Sequence, residues 1–123
     1  MQPKIPVILD TDIGTDIDDT WALAMLLRCP ELDLRLVATA TLDTEYRAAL
    51  VAKQLTIDGR ADVPIAIGLK KSADTGPMVP WLDGSELSTY RGPIHRDGVQ
   101  AIIDTIEASP DPITLIAIGP LTN

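Results

Sequence analysis

The chain has 123 residues and a formal net charge of −8, with 46% apolar and 23% charged residues. This length and composition are typical of one globular domain with a real core, and they exclude a disordered chain. The acidic balance argues against a nucleic acid or an anionic membrane surface as the partner. One cysteine cannot form an internal disulfide, and neither a signal peptide nor a membrane-spanning run is recognisable, so we expect a cytoplasmic protein.

Strands and helices are predicted to alternate along the chain. The apolar patterns predict strands at 5–9, 34–41, 63–67 and 113–118, and helices at 20–28, 45–57 and 98–108. Residues 69–93 carry repeated Gly and Pro without a sustained period, which predicts a long loop. This order is typical of an α/β protein with a doubly wound parallel sheet, and right-handed crossovers favour the Rossmann-like strand order 3-2-1-4.

Aspartates crowd the end of the first predicted strand. Five fall within ten positions: Asp10, Asp12, Asp16, Asp18 and Asp19. Carboxylates at this density repel one another unless a cation, a substrate or backbone amides compensate them. In the order 3-2-1-4 the turn at 119–123 lies beside them, at the edge of the sheet where open α/β proteins bind ligands.

The spacing of the aspartates favours a hard cation. Carboxylate oxygens select Ca²⁺ or Mg²⁺ over softer metals. Gly14 is a hinge that brings Asp19 back toward Asp12, and Asp18 and Asp19 open the next helix, where the positive end of the helix dipole stabilises negative charge. A solvated acidic turn with one helix cap is the alternative. An EF-hand is excluded, because no Glu closes a twelve-residue loop.

Residues 10–19 read Asp-Thr-Asp-Ile-Gly-Thr-Asp-Ile-Asp-Asp and resemble the amino-terminal signature of the inosine-uridine preferring nucleoside hydrolases. That signature is usually Asp-x-Asp-Pro-Gly-x-Asp-Asp, and the two extra residues here resemble a divergent branch of the family. The segments 58–68 and 118–123 resemble two further regions of the family. The resemblance implies that residues 1–123 are the N-terminal portion of one nucleoside-hydrolase-like α/β domain whose remainder is absent.

The family resemblance implies calcium-dependent hydrolysis of the N-glycosidic bond of ribonucleosides, with a role in nucleoside salvage. Carried over by motif position, Asp12 and Asp19 are calcium ligands, together with the main-chain carbonyl of Thr122. Asp12 is also the general base for the attacking water. Asp18 binds a ribose hydroxyl, and Asp10 is a supporting carboxylate.

Two further residues are candidate substrate contacts, although the sequence departs from the family there. The family usually has Gly-Asn after the second strand, where this chain has Leu42 and Asp43; Asp43 is a candidate ribose contact or a helix N-cap. His95 falls where the family often has His-Gly, but Arg96 follows it here, and a surface histidine is the alternative. We expect a homo-oligomer, or association with the missing C-terminal portion.

Two other functions remain open from the sequence. A haloacid-dehalogenase-like, Mg²⁺-dependent phosphatase also places Asp-x-Asp after the first strand of a Rossmann-like sheet. It does not account for the later aspartates or for the Gly-Pro-Leu-Thr-Asn ending. The second alternative is a truncated, non-catalytic half-domain that binds a cation or a nucleoside.

Overall fold

The computed structural model describes residues 2–123 as a parallel sheet flanked by helices. The strands are β1 (Ile5–Thr11), β2 (Leu32–Thr39), β3 (Ile65–Ile67), β4 (Ile94–His95) and β5 (Thr114–Ala117). The helices are α1 (Asp18–Leu27), α2 (Thr44–Ile57), α3 (Val79–Leu82) and α4 (Gly98–Ala108), with one 3-10 turn at Leu87–Thr89. Across this described range, no helix is both long and apolar enough to cross a membrane.

The sheet has the order β4-β3-β2-β1-β5, with every neighbouring pair parallel. The four predicted strands correspond to β1, β2, β3 and β5, and their predicted order 3-2-1-4 is confirmed. The two-residue strand β4 was not predicted, because a segment this short shows no periodicity. The predicted loop over 69–93 is wrong in part: it contains the four-residue helix α3 and the 3-10 turn, which are also too short to produce an apolar stripe.

Both faces of the sheet are covered, so its central strands are buried on both sides. Val7 and Leu9 of β1 pack with α1 and α2 on one face, whereas Ile8 packs with Ala101 of α4 on the other. This alternation follows from the two-residue period of a strand. It explains why the first strand is a continuous apolar run rather than a pattern of apolar and polar residues.

The ends of β1 and β2 differ from the predicted bounds. β1 continues through Asp10 and Thr11, because both keep their pairing with β2. β2 ends at Thr39, two residues early, since Thr41 and Leu42 have the left-handed φ angles of 63° and 53°. Such φ angles are uncommon outside glycine and rarer still for a β-branched residue like threonine. This strained turn lies directly beside the aspartates that follow β1.

β5 lies at one edge of the sheet and pairs only with β1. Its apolar side chains are partly uncovered: Leu115 is exposed, and so is Ile118 just beyond the strand. Within residues 2–123, one edge of the sheet is therefore an apolar strand with exposed side chains.

Candidate functional site

The aspartate loop, defined here as residues 10–19, joins the end of β1 to the first turn of α1. The turn at 119–123 packs against it, as the strand order predicts. Ile118 N donates a hydrogen bond to Asp10 O at 2.9 Å. A Cβ atom on Gly119 would lie 2.9 Å from Asp12 N, so glycine permits this close approach. Two distant segments of the chain therefore meet at the carboxyl ends of neighbouring strands, where ligands bind in this class of sheet.

Asp19 is the buried carboxylate of the loop, with 4% of its surface exposed. Thr11 Oγ1 donates to its Oδ2 at 2.6 Å, and Asp12 N donates to the same oxygen at 3.2 Å. The predicted return of Asp19 toward Asp12 is thus confirmed. The pKa of Asp19 is raised from 3.8 to about 6, mainly by burial; the hydrogen bond from Thr11 opposes this rise, and the neighbouring carboxylates of Asp12 and Asp18 contribute to it.

Asp10 is the second buried carboxylate, and its partner is the last residue of the chain. Asn123 Nδ2 donates to Asp10 Oδ1 at 2.9 Å. Burial raises the pKa of Asp10, the hydrogen bond from Asn123 lowers it, and the charge of Asp12 raises it. The Asp10 carboxylate is therefore held by protein rather than directed to solvent, and its supporting role stays a prediction.

The Asn123 side chain also connects the ends of two other strands. Its Nδ2 donates to Thr39 O at 3.0 Å, and its Oδ1 accepts from Leu69 N at 2.9 Å. A Cβ atom on Gly68 would lie 2.2 Å from Asn123 Oδ1, so glycine is required for the asparagine to fit. One amide group thereby links the carboxyl ends of β1, β2 and β3.

No carboxylate of the aspartate loop forms a salt bridge in the part of the chain that the structure describes. The salt bridges of residues 2–123 all lie elsewhere, for example between Arg28 and Asp58. Within the same residues no three His, Cys, Asp or Glu side chains are grouped as a metal site. The carboxylates of Asp12 and Asp19 and the carbonyl of Thr122 fit the oxygen chemistry of calcium. Calcium takes roughly six to eight oxygen ligands, so these three groups would form only part of its coordination shell.

Thr122, the third expected calcium ligand, has a buried side-chain oxygen, Oγ1, that makes no hydrogen bond within the described residues. Its backbone amide donates to Pro120 O at 2.8 Å, which tightens the turn beside Asp12. Buried polar atoms are nearly always paired, so a group that is not part of these residues is expected to complete the hydrogen bonding here.

Asp43 occupies the N-cap of α2. Its Oδ1 accepts hydrogen bonds from Glu45 N and Tyr46 N, both at 3.1 Å, and Lys70 Nζ lies 3.5 Å from its Oδ2. The helix-cap alternative for Asp43 is therefore confirmed. A ribose contact stays a prediction, and it would compete with these three interactions for the same carboxylate.

Asp18 lies close to Asp12 and Asp19, whereas His95 lies far from them. Asp18 is exposed at the first residue of α1, next to Asp19. His95 is exposed on β4, which two strands separate from β1. At the usual spacing between strands, this places His95 roughly 14 Å from β1. The structure thus brings Asp10, Asp12, Asp18 and Asp19 together and leaves His95 at the opposite edge.

Arg47 is a residue of the site that sequence reasoning missed. Only 2% of its surface is exposed. Its Nη1 donates to Asp12 O at 2.6 Å, to Ile13 O at 2.9 Å and to Thr15 Oγ1 at 3.1 Å. Its Nε donates to Thr41 O at 3.0 Å. The sequence did contain a signal, since a charged residue stands four positions before a core valine on the buried stripe of α2.

Tyr46 is a second residue beside the aspartate loop that sequence reasoning missed. Its hydroxyl donates to Gly14 O at 2.9 Å and accepts from Met78 N at 3.2 Å. It therefore joins the aspartate loop to the segment that precedes α3. A Cβ atom on Gly76 would lie 2.0 Å from Gly14 O, so this segment lies directly against the loop.

The fold and the loop geometry together define an α/β protein with an acidic loop at the carboxyl edge of a parallel sheet. The family profile described as inosine-uridine preferring nucleoside hydrolase matches residues 7–123. The chain belongs to this family, and the resemblance seen in the sequence is confirmed.

Named relatives agree with this assignment. The chain is 39% identical to the non-specific ribonucleoside hydrolase RihC of Klebsiella pneumoniae, over 98% of this chain and 42% of that protein. It is 37% identical to the RihC of Salmonella agona, over 100% of this chain and 42% of that protein. A solved structure of a plant nucleoside hydrolase, the PpNRh1 enzyme, superposes with a TM-score of 0.73 at 30% identity, over 98% of this chain and 41% of that one. The chain thus spans less than half the length of these relatives.

Proposed function

We propose that the chain supplies the calcium-binding and ribose-binding part of an enzyme that hydrolyses the N-glycosidic bond of ribonucleosides to ribose and free base. The observation that carries the proposal is the pair formed by Asp12 and Asp19. Asp19 is buried, its pKa is raised to about 6, and neither carboxylate has a cationic partner among residues 2–123. Charges buried without a partner are costly, and a bound divalent cation removes that cost.

The donors suited to the cation are Asp12, Asp19 and the carbonyl of Thr122. All are hard oxygens, which favour calcium over softer metals. The Asp19 hydrogen bonds from Thr11 and from Asp12 N both end on Oδ2, so its Oδ1 is the oxygen available to an ion. When bound, calcium would hold the attacking water and the ribose hydroxyls in place and add a modest Lewis-acid effect.

The side chains of the loop then have separate roles in hydrolysis. Asp12 is less buried than Asp19 and is the carboxylate that accepts the proton of the attacking water as it adds to the anomeric carbon. Asp18, exposed at the start of α1, accepts a hydrogen bond from a ribose hydroxyl. The sugar becomes positively charged in the oxocarbenium-like transition state, and the negative charge that the acidic loop keeps beside the bound cation stabilises that positive charge.

Calcium binding tests the proposal directly. Calorimetry with CaCl₂ compares the wild type with Asp12→Asn and with Asp16→Asn as the matched control. Asp16 is exposed, lies in the same loop and is expected outside the site, so both variants lose one charge and only one loses a proposed ligand. We expect Asp12→Asn to weaken calcium binding by roughly 10- to 100-fold or more and Asp16→Asn to change it little. Equal effects of the two variants would contradict the assignment.

The reaction itself is tested with nucleosides and with a phosphate ester. We expect release of free base from inosine or uridine in the presence of calcium, and loss of that release in Asp12→Asn. Hydrolysis of p-nitrophenyl phosphate with Mg²⁺, without base release, would instead favour the phosphatase alternative. The family match favours the nucleoside substrate.

A non-catalytic role in binding a cation or a nucleoside is the second candidate. It is favoured by the small number of donors, since Asp12, Asp19 and the carbonyl of Thr122 offer fewer oxygens than the roughly six to eight that calcium takes. Calcium binding by the chain without base release would support this second candidate.

A further inference from the structure

We propose that Arg47 is a positioning residue for the cation site, which holds the aspartate loop in the shape that presents Asp12 and Asp19. The inference rests on the proposed function, because it concerns the same carboxylates. Arg47 is the largest fully buried side chain among the described residues, and its guanidinium lies against the aspartate loop.

The hydrogen bonds of Arg47 are unexpected for an arginine beside five aspartates. An arginine in such a place normally forms a bidentate pair with a carboxylate. Arg47 instead donates to three backbone carbonyls and one hydroxyl, and it takes part in none of the salt bridges among residues 2–123. Its charge therefore lowers the repulsion within the loop while the carboxylates stay available to an ion.

The four acceptors also explain why the geometry of the guanidinium matters. Three of them, Asp12 O, Ile13 O and Thr15 Oγ1, belong to the aspartate loop, and one nitrogen, Nη1, contacts all three. The fourth, Thr41 O, belongs to the strained turn after β2 and is reached from Nε. The planar fork of arginine thus spans two loops that follow neighbouring strands. A lysine carries its donors on one nitrogen and cannot bridge both loops in this way.

The test compares Arg47→Lys, which keeps the charge, with Arg47→Met, which removes it. Tyr90→Phe is the matched control, since it removes a buried hydrogen bond to Val63 O on the far side of α2. Calcium affinity is measured by calorimetry well below the unfolding temperature of each variant. We expect both Arg47 variants to bind calcium roughly 10- to 100-fold more weakly than the wild type, and Tyr90→Phe to bind it equally well.

Two outcomes of the calorimetry would overturn the proposal. Wild-type affinity in Arg47→Lys would show that charge alone is sufficient, and an equal loss in Tyr90→Phe would show a general effect of stability.

Hydrogen exchange of the calcium-free protein separates this proposal from the proposed function. We expect faster exchange in Arg47→Lys at the amides of residues 12–16, with β1 and α4 unchanged. If the wild type binds no calcium, the proposed calcium site fails, and this exchange pattern alone decides whether Arg47 positions the loop. Unchanged exchange at residues 12–16 would overturn the role of Arg47 whether or not calcium binds.

Discussion

Gly119→Ala tests whether the turn after β5 sets the position of Asp12. The added Cβ atom would lie 2.9 Å from Asp12 N, 3.0 Å from Asp12 Cβ and 3.2 Å from Asp12 Cγ. Ordinary contacts of this kind are 3.4–4 Å, so Asp12 or the turn must move by about 0.5 Å. The atoms in the way belong to the backbone and the base of the side chain, and they cannot swing aside as the end of a long side chain would.

The size of the effect follows from the packing. Overfilling a well-packed site typically costs about 1–3 kcal/mol. For a chain of 123 residues, an unfolding entropy of about 2.1 cal/mol/K per residue converts 2 kcal/mol into a Tm decrease of roughly 8 °C. Because the strain falls on a proposed calcium ligand, calcium affinity should fall by roughly 10-fold or more as well.

Thermal unfolding and calorimetry measure these two effects, with Gly84→Ala as the control. Gly84 has a φ of 76° and no heavy atom within 4 Å of an added Cβ, so its substitution adds backbone strain far from any packing contact. We expect Gly84→Ala to cost about 1 kcal/mol and to leave calcium binding unchanged. A Gly119→Ala variant with wild-type Tm and wild-type calcium affinity would refute the packing argument.

Three further predictions concern the same loop. Asp19→Asn removes a buried charge, so the free energy of unfolding of the metal-free protein, measured by urea titration, should rise by on the order of 1–2 kcal/mol. The stabilisation that calcium gives to the wild type should disappear in this variant. A lower stability of the metal-free variant would contradict the prediction. Because burial raises the pKa of Asp19 to about 6, the folded state holds a proton that the unfolded chain releases between roughly pH 4 and 6. This group therefore makes the metal-free protein more stable as the pH falls through that window. Because calcium competes with the proton for the carboxylate, the Tm increase on adding calcium should be larger near pH 7 than near pH 5. Equal increases at the two pH values would count against Asp19 as a ligand. Tyr46→Phe leaves Gly14 O and Met78 N without their shared partner, which should cost about 1–3 kcal/mol and speed exchange at Met78, whereas Tyr90→Phe should leave that amide protected.

Much of the fold was predictable because the buried face of each helix or strand requires apolar residues at a regular spacing along the sequence. The helix at 98–108 was predicted with the bounds that the structure has, since its apolar residues repeat on one stripe. The helix at 45–57 was predicted within one residue, and a helix N-cap was one of the two roles that the sequence offered for Asp43. The approach of Asp19 to Asp12 followed from the glycine hinge between them.

The sequence by itself determined the alternation of elements, the parallel sheet and the place where the aspartates and the 119–123 turn meet, because periodicity and right-handed crossovers fix these features. Only the tertiary structure decided which partners hold the loop. Arg47 and Asn123 contact residues 35 and 113 positions away along the chain, and such contacts depend on how neighbouring strands align. The edge strand β4 likewise forms only because β3 offers it a free edge. A two-residue strand leaves no periodic signal, and the position of Arg47 on the buried stripe of α2 does not say which carbonyls it contacts, so both roles appear only once the chain is folded.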